Sequence, residues 1–330
     1  MKYLFIINPA LKGIGDRLSE IQAEIAHCFA RYPHLSYDIH VTRWQRDAVG
    51  FVQRYCQNAP ELVRVVAVGG VGTLYEALNG VMELPNTQLA YCPFGKDNAF
   101  IRVFGERQSH FFNSVSGILF AKARRLDVIH CGDCGYALSF SLFGMEALLF
   151  LRYIDLRDRY QMLPSSLAYL CSLVGHRFHV GQTQEYQIVL DGETRLEGAY
   201  KSGLIANQPC HGFYAQPVAE ARPDDGMLDL YLWKKIPSLI FPRVVMDYVK
   251  GEYHKWPEYI EHYRFRHMAI QSEDLFAVSP DGEFSFQLEQ NYLVLPNAVD
   301  FVFPEGVEYP ERRAQETPDF LPATEEGEIK

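Results

Sequence analysis

The sequence lacks two features that define large classes of protein. It contains no apolar run of the roughly 20 residues that a membrane-spanning helix needs. It also lacks a surplus of basic residues. It has 41 acidic and 31 basic residues, which give a formal net charge of −10 at pH 7. Nucleic acids are bound mainly through surplus lysine and arginine. We therefore expect no nucleic-acid partner, and we expect any membrane contact to be peripheral.

Paired cysteines and a secretory signal are also missing. The first residues form the strand-like run KYLFII in place of a charged region followed by an apolar one. The cysteines are odd in number and scattered: Cys28, Cys56, Cys92, Cys131, Cys134, Cys171 and Cys210. We expect free thiols in the reducing cytoplasm, with any membrane contact at its inner face. Cys131 and Cys134 have the spacing of zinc ligands, but no second pair follows, so an ordinary strand and turn is favoured.

The 330 residues suffice for two domains, and their pattern changes near residue 127. Before it, the strand-like runs KYLFIINPA, SYDIHVTRW, LVRVVAVGG and TQLAYCPFG alternate with helical periodicity, which indicates a parallel sheet covered on both faces. After it, short strand-like runs are punctuated by Gly, Pro and Asp, with one helical segment near Pro164 to His176. Residues 1–127 are predicted to form a three-layer α/β domain and residues 128–292 a β-sandwich. Residues 306–330 are acidic and proline-rich, which predicts a frayed tail.

The segment VAVGGVGTLYEALNG, residues 66–80, has the form of a phosphate-binding turn between a strand and a helix. Adjacent glycines let the backbone approach a ligand, and the helix start offers N–H groups and a positive dipole end. The sequence has no G-x-x-x-x-G-K-[ST], and Gly13-Ile14-Gly15 lacks the third glycine of a dinucleotide fingerprint because Leu18 stands there. A tight turn that needs glycine for packing alone remains the alternative.

Three further motifs accompany this turn: Asn8-Pro9 after the first strand, CPFGKDNAFIRVFG after the fourth, and SPDGEFSF in the β-rich half. In order and spacing, from about residue 1 to 305, the four motifs resemble the diacylglycerol kinase catalytic-domain family, which includes bacterial lipid kinases and sphingosine and ceramide kinases. The family pattern at the turn is G-G-D-G-T, then E, then N-G. It is matched by Gly69, Gly70, Gly72, Thr73, Glu76, Asn79 and Gly80. Val71 replaces the aspartate. In the next motif, Lys96 and Ala99 replace a threonine and a second aspartate.

This resemblance implies ATP as the phosphate donor and Mg2+ as its cation. It implies that the first domain binds the nucleotide and is completed by residues 293–305, and that the β-sandwich binds a lipid substrate. The nucleotide-binding residues that it implies are Asn8, Gly69, Gly70, Gly72, Thr73, Glu76, Gly95, Lys96 and Asn98.

The resemblance also implies two acidic sites in the second domain. One is a structural magnesium site made by the side chain of Asp225 and the carbonyls of Arg222 and Met227, with an ordinary turn as the alternative. The other is the D-G-E motif, in which Asp281 is the implied catalytic base beside Glu283. A type I′ hairpin turn is the alternative there, and the similar LDGET at Leu190 to Thr194 shows how common that pattern is.

Two hypotheses about function follow. The first is an ATP-dependent kinase that phosphorylates the hydroxyl of a diacylglycerol-like or sphingoid-like lipid. The second is a catalytically degenerate relative that binds lipid or nucleotide, which Val71 favours because valine can neither coordinate a cation nor accept a proton. The extent of the pattern puts the kinase first, and so does the survival of five side chains that can supply oxygen ligands to Mg2+: Glu76, Asn79, Asn98, Asp281 and Glu283. A nicotinamide-dinucleotide kinase shares the glycine turn by resemblance, but the D-G-E motif in a β-rich half fits a lipid kinase better.

Overall fold

A computed structural model describes residues 1–10, 14–93, 99–104, 108, 110–160, 168, 171–172, 183–209, 218 and 220–307. Its helices are α1 (Leu18–Ala30), α2 (Asp47–Gln57), α3 (Val71–Val81), α4 (Ala99–Arg102), α5 (Val115–Leu119), α6 (Met145–Arg159) and α7 (Phe241–Val249). Its strands are β1 (Lys2–Ile7), β2 (Ser36–Val41), β3 (Val63–Gly69), β4 (Thr87–Pro93), β5 (Ala123–His130), β6 (Tyr136–Ala137), β7 (Phe140–Gly144), β8 (Gln184–Leu190), β9 (Thr194–Tyr200), β10 (Ser202–Ala206), β11 (Leu228–Trp233), β12 (Ile260–Phe265), β13 (His267–Pro280) and β14 (Ser285–Val302).

The first half is built on a parallel sheet in the order β4-β3-β1-β2. Successive side chains of a strand point to opposite faces, so Leu4 and Ile6 pack with α2 and α3 while Phe5 packs with α1. Every residue of β3 is buried, as expected for a central strand covered on both faces. These three layers confirm the predicted α/β architecture.

The second half is mainly antiparallel. Its strands follow the order β12-β11-β10-β7-β13-β14, and the β8-β9 hairpin joins through β13. One apolar cluster lies between the β8-β9 side and β10-β11, and a second lies between β7, β10 and β11 and the helices α6 and α7. The predicted combination of an α/β half with a β-sandwich half is confirmed. The predicted helical segment near 164–176 lies almost entirely outside the described residues, and so does the tail from residue 308.

Two long strands connect the halves. β13 and β14 pair with each other, and each has one break in register, between Gln271 and Phe276 and between Leu295 and Val299. β14 pairs antiparallel with β5 on both sides of its break, and at its end it also pairs parallel with β4 on its other edge, with Phe301 opposite Leu89. The turn between β13 and β14 therefore belongs to a sheet that is continuous with the sheet of the first half.

Candidate active site

A cavity of about 350 Å³ lies where the first half meets the β13–β14 turn. The first half contributes the loop after β2 and Tyr75 of α3, and the second half contributes the turn that carries the D-G-E motif. The cavity lining includes Gln45, Arg46, Tyr75, Cys134, Glu283 and Gln287. The predicted phosphate-binding turn and the predicted catalytic motif thus lie against one another.

The two glycines of the turn that can be compared have different surroundings. A Cβ placed on Gly69 would lie 2.3 Å from Oγ1 and 2.8 Å from Cβ of Thr73, so packing within the turn requires glycine there. A Cβ on Gly72 would meet only Oε1 of Glu283, at 3.9 Å. The packing alternative from the sequence therefore holds for Gly69, whereas the backbone at Gly72 is open on the side that faces Glu283. Thr73 is buried, and its Oγ1 makes no hydrogen bond with the described residues.

Val71 is the first residue of α3, which begins after Gly70 in an extended conformation with φ −86° and ψ −175°. The first turn of this helix contains no acidic residue. The carboxylate that faces this helix start comes from the second half instead, from Glu283. Nε2 of Gln45 donates a hydrogen bond of 3.2 Å to Oε2 of Glu283 and so ties the turn to the loop after β2.

Glu76 binds the backbone at the start of α2. Its carboxylate accepts hydrogen bonds from the N–H of Arg46 at 2.9 Å and of Ala48 at 3.1 Å. Burial raises the pKa of Glu76, and these two amide donors oppose the rise. Asn79, on the next turn of α3, bonds both the N–H and the carbonyl of Tyr136 at 2.9 Å. Both side chains thus hold neighbouring elements in place, and the nucleotide-binding role of Glu76 stays a prediction.

Arg46 has an unusual backbone conformation at the edge of the cavity. Its φ of 67° and ψ of 7° lie in the left-handed region, which costs a non-glycine residue roughly 1–2 kcal/mol. The hydrogen bond from its N–H to Glu76 supports this conformation. Its side chain is exposed and forms no ion pair within the described part of the chain. The guanidinium of Arg46 is therefore available at the edge of the cavity to bind an anionic ligand.

Asp281 lies at the hairpin turn that the alternative interpretation predicted. Asp281 and Gly282 both have positive φ, 44° and 95°, and Val278 pairs with Ser285 across the turn. Both oxygens of the carboxylate accept backbone N–H groups at the start of β7: Oδ1 at 3.0 Å from Ser139 and from Phe140, and Oδ2 at 2.5 Å from Leu138.

Burial raises the pKa of Asp281 from 3.8 to about 6, and the amide donors oppose the rise. A carboxylate has about four sites for incoming donors, and the Ser139 N–H is shared between Oδ1 at 3.0 Å and Oδ2 at 3.3 Å, so the three amides take up most of this capacity. A group with a pKa near the working pH is suited to acid-base chemistry. The hairpin alternative and a chemical role are therefore compatible at this residue.

The other predicted nucleotide-binding residues are only partly covered. Asn8 follows β1, its N–H donates to the carbonyl of Val68 at the end of β3, and its Oδ1 accepts the N–H of Ala10 at 3.0 Å. Asn8 thus lies at the same sheet edge as the glycine turn. Gly95, Lys96 and Asn98 lie outside the described residues.

The predicted magnesium site in the second half does not fit a cation in the described structure. Oδ2 of Asp225 accepts a hydrogen bond of 2.5 Å from Nη2 of Arg264, and its Oδ1 accepts the N–H of Met227 at 3.1 Å. The guanidinium of Arg222 binds Asp224, its near neighbour in the chain. A guanidinium thus occupies the carboxylate that a metal would need. Among the described residues, no cluster of three or more His, Cys, Asp or Glu side chains could hold a metal.

Cys131 and Cys134 lie in a short turn after β5 and are buried. Burial raises the pKa of the Cys131 thiol, and Sγ of Cys134 lies 3.8 Å from Oε1 of Gln290. The structure agrees with the interpretation of this segment as a strand and turn. The six cysteines among the described residues are free thiols.

Sequence reasoning missed Gln45, Arg46 and Tyr75. Tyr75 is buried at the cavity and donates a hydrogen bond to the carbonyl of Cys134, which joins the halves. A topological signal could have found the first two, because in open α/β sheets ligands bind at the carboxyl ends of the strands. The loop after β2 lies at the same edge as the loops after β1 and β3 and was therefore a candidate.

Comparison with known proteins identifies the class to which this fold and cavity belong. Residues 2–131 match the family model of the diacylglycerol kinase catalytic domain. Residues 151–303 match the model of the YegS C-terminal NAD kinase beta sandwich-like domain. The chain belongs to the diacylglycerol kinase catalytic-domain family, and the family predicted from the four motifs is confirmed.

Individual relatives agree with this assignment. A protein of Staphylococcus epidermidis that is classed by name as a lipid kinase is 23% identical over 302 residues, which cover 89% of this chain and 93% of the relative. One of Staphylococcus aureus with the same class name is 25% identical over 305 residues, which cover 89% and 94%.

Solved structures show the same fold. Two structures from Bacillus anthracis strain Sterne, described as a diacylglycerol kinase, superpose with TM-scores of 0.70 and 0.66, at 23% and 21% identity. Each covers 93% of this chain and 98% of the solved one. Within the part of the chain that the structure describes, no helix has the length and apolar character to cross a bilayer.

Proposed function

We propose that this protein is an ATP-dependent lipid kinase that phosphorylates the hydroxyl of a diacylglycerol-like or sphingoid-like lipid. The observation that carries the proposal is the contact between the D-G-E turn and the start of α3. Oε1 of Glu283 lies 3.9 Å from the position of a Cβ on Gly72. A phosphate at the helix start would therefore lie next to the acidic turn, as transfer to a nearby hydroxyl requires.

Each group has a role that its geometry supports. The backbone from Gly70 to Gly72 and the start of α3 bind phosphate oxygens of ATP, and the guanidinium of Arg46 neutralises part of their charge. Asp281 accepts the proton of the lipid hydroxyl, since its raised pKa of about 6 leaves it mostly ionised at neutral pH. Glu283, held by Gln45, positions the turn at the cavity.

The predicted nucleotide-binding residues Asn8, Lys96 and Asn98 belong to the same proposal. Magnesium would enter with ATP and neutralise charge on its phosphates. We assign no protein ligand to it, because the described residues contain no group of three or more His, Cys, Asp or Glu side chains that could hold a metal.

Transfer of labelled phosphate tests the proposal. Purified protein is incubated with ATP, Mg2+ and a panel of diacylglycerol, sphingoid base and ceramide, and transfer to at least one of them is expected. Asp281→Asn should abolish transfer. Absence of transfer to every lipid by folded, ATP-binding protein would overturn the catalytic claim and favour the degenerate alternative that Val71 raised.

The chain supplies a matched control for Asp281. Asp191 occupies a second Asp-Gly-Glu hairpin, has a positive φ of 51°, and its Oδ1 accepts the N–H of Arg266 and of His267 at 2.9 and 2.8 Å. Asp191→Asn disturbs the same kind of backbone contact away from the cavity. It should lower thermal stability as Asp281→Asn does, but it should leave transfer intact.

A lipid acceptor also requires access to a bilayer. We propose that the protein acts in the cytoplasm and makes peripheral contact with the inner face of the membrane. Sedimentation with membrane vesicles tests this part independently of transfer, and retention in the supernatant under all conditions would contradict it.

A further inference from the structure

A ridge protrudes from the second half where the chain leaves β11 and enters α7. We call residues 235–250 the α7 ridge. Its outer side presents large apolar side chains to solvent: Leu239 is 93% exposed and Met246 is 60% exposed. Pro237 and Pro242, near these residues, are exposed as well. Single exposed apolar residues are common on soluble proteins, but several on one short ridge indicate a contact surface.

The base of the ridge is firmly packed. Val244 and Tyr248, on the inner face of α7, are buried, and the ring of Tyr248 meets Trp233 of β11 edge to face at 4.6 Å. The packed inner face of α7 therefore fixes the helix on the core, with Met246 on its exposed side and Leu239 in the turn that precedes it.

The ridge is basic although the chain as a whole is acidic. Lys235, Arg243 and Lys250 are exposed and form no ion pair with any described residue. The acidic residue of the ridge, Asp247, accepts a hydrogen bond of 3.0 Å from Nε1 of Trp256. Since the net charge of the chain is −10, this local positive charge is complementary to an anionic surface.

A buried lysine lies at the foot of the ridge. Lys201 is 4% exposed, and its Nζ lies 5.2 Å from the ring centre of Phe241. Within the described residues this ammonium group has no hydrogen-bond acceptor and no ion-pair partner. Burial, and then the charge of Lys235, lower the pKa of Lys201 to about 8. Burial and the neighbouring charge of Lys235 both disfavour the charged form of Lys201, so an anion beside the two lysines would stabilise that form.

We propose that the α7 ridge docks on a bilayer that contains anionic phospholipids. Leu239 and Met246 enter the headgroup region, and a lipid phosphate lies between Lys201 and Lys235. An amphipathic helix with basic flanks lies in the membrane interface in this manner. The inference rests on the proposed function in one respect, because a lipid kinase needs a route to an acceptor held in the bilayer.

Vesicle flotation in the absence of ATP tests the docking surface. The protein should bind vesicles of phosphatidylcholine with phosphatidylglycerol more tightly than vesicles of phosphatidylcholine alone, and added salt should weaken the binding. Lys235→Gln should weaken binding about fivefold, and Leu239→Glu should weaken it by about tenfold or more. Leu275 is 62% exposed elsewhere on the molecule, so Leu275→Glu is the matched control and should bind as the wild type does.

The outcomes separate docking from catalysis. Equal binding to both kinds of vesicle, or wild-type binding by both ridge variants, would overturn the proposal. In a transfer assay, Leu239→Glu should lose activity on a vesicle-borne acceptor while it keeps activity on a soluble short-chain diacylglycerol. Vesicle binding that depends on the ridge, without transfer to any lipid, would leave docking supported and would refute the proposed kinase function alone.

Discussion

Replacing Gly72 by alanine tests whether this position requires glycine for ligand binding or for packing. Gly72 lies inside α3, and a Cβ there meets only Oε1 of Glu283, at 3.9 Å. Alanine in place of a helical glycine stabilises a protein by up to about 0.5–1 kcal/mol, and the lower end applies to Gly72 because it is the second residue of α3. The new methyl group would block the approach of a phosphate to the backbone, and the loss of one hydrogen bond to a charged group costs about 1.5–3 kcal/mol. Gly72→Ala should therefore be more stable and transfer phosphate about 10- to 100-fold more slowly.

Urea unfolding and the labelled-phosphate assay measure the two effects. Gly69→Ala is the contrasting variant, because its Cβ would lie 2.3 Å from Oγ1 of Thr73, and such overpacking costs about 1–3 kcal/mol. Gly50→Ala is the control in α2, where a Cβ would meet only the mobile end of Arg54, at 3.1 Å. It should add stability and leave transfer unchanged. A Gly72→Ala protein that is destabilised, or fully active, would refute the reasoning.

Three further substitutions test charge and conformation at the cavity. The folded protein binds the proton on Asp281 more tightly than the unfolded chain does, because the pKa of Asp281 rises from 3.8 to about 6 on folding. The stability that this proton contributes is therefore complete below pH 3.8 and is lost as the pH rises through about 6. From about pH 4 to pH 7 the wild type should lose about 2 kcal/mol of unfolding free energy relative to Asp281→Asn, and parallel pH profiles would contradict this. Arg46→Gly should relieve the left-handed backbone, raise the urea midpoint and weaken binding of an ATP analogue in calorimetry; a lower midpoint or unchanged affinity would count against it. Val71→Asp should stabilise the start of α3 by about 0.3–1 kcal/mol and raise Mg2+-dependent transfer, and an unchanged rate would show that the missing carboxylate does not limit the reaction.

Sequence patterns predicted the helices and turns whose conformation is determined by residues close together in the chain. The periodicity from Asp47 onward predicted α2, and its buried residues Ala48, Val52 and Cys56 repeat every four positions. The glycine pattern predicted the turn between β3 and α3. Asp-Gly between two strand-like runs predicted the hairpin at Asp281.

Contacts between distant segments could not be predicted in this way. The carboxylate of Asp281 binds amides more than 140 positions earlier, and Arg264 reaches Asp225 across 39 positions. Neither pairing leaves a periodic signal, because each depends on the strand order of the second half. For the same reason the sequence did not predict that Glu76 accepts hydrogen bonds from the amides at the start of α2.

The pairing of β14 with β4 has a consequence for the order in which the chain folds. Phe301 lies opposite Leu89, more than 200 positions away, and β4 lies between β3 and β14 in the sheet. During synthesis from the amino terminus, the outer edge of β4 has no β14 to pair with until nearly the whole described chain has been made. An unpaired strand edge invites association with other chains, and pairing across such a separation is slow. The newly made first half is therefore the stage at which this protein is most prone to aggregate.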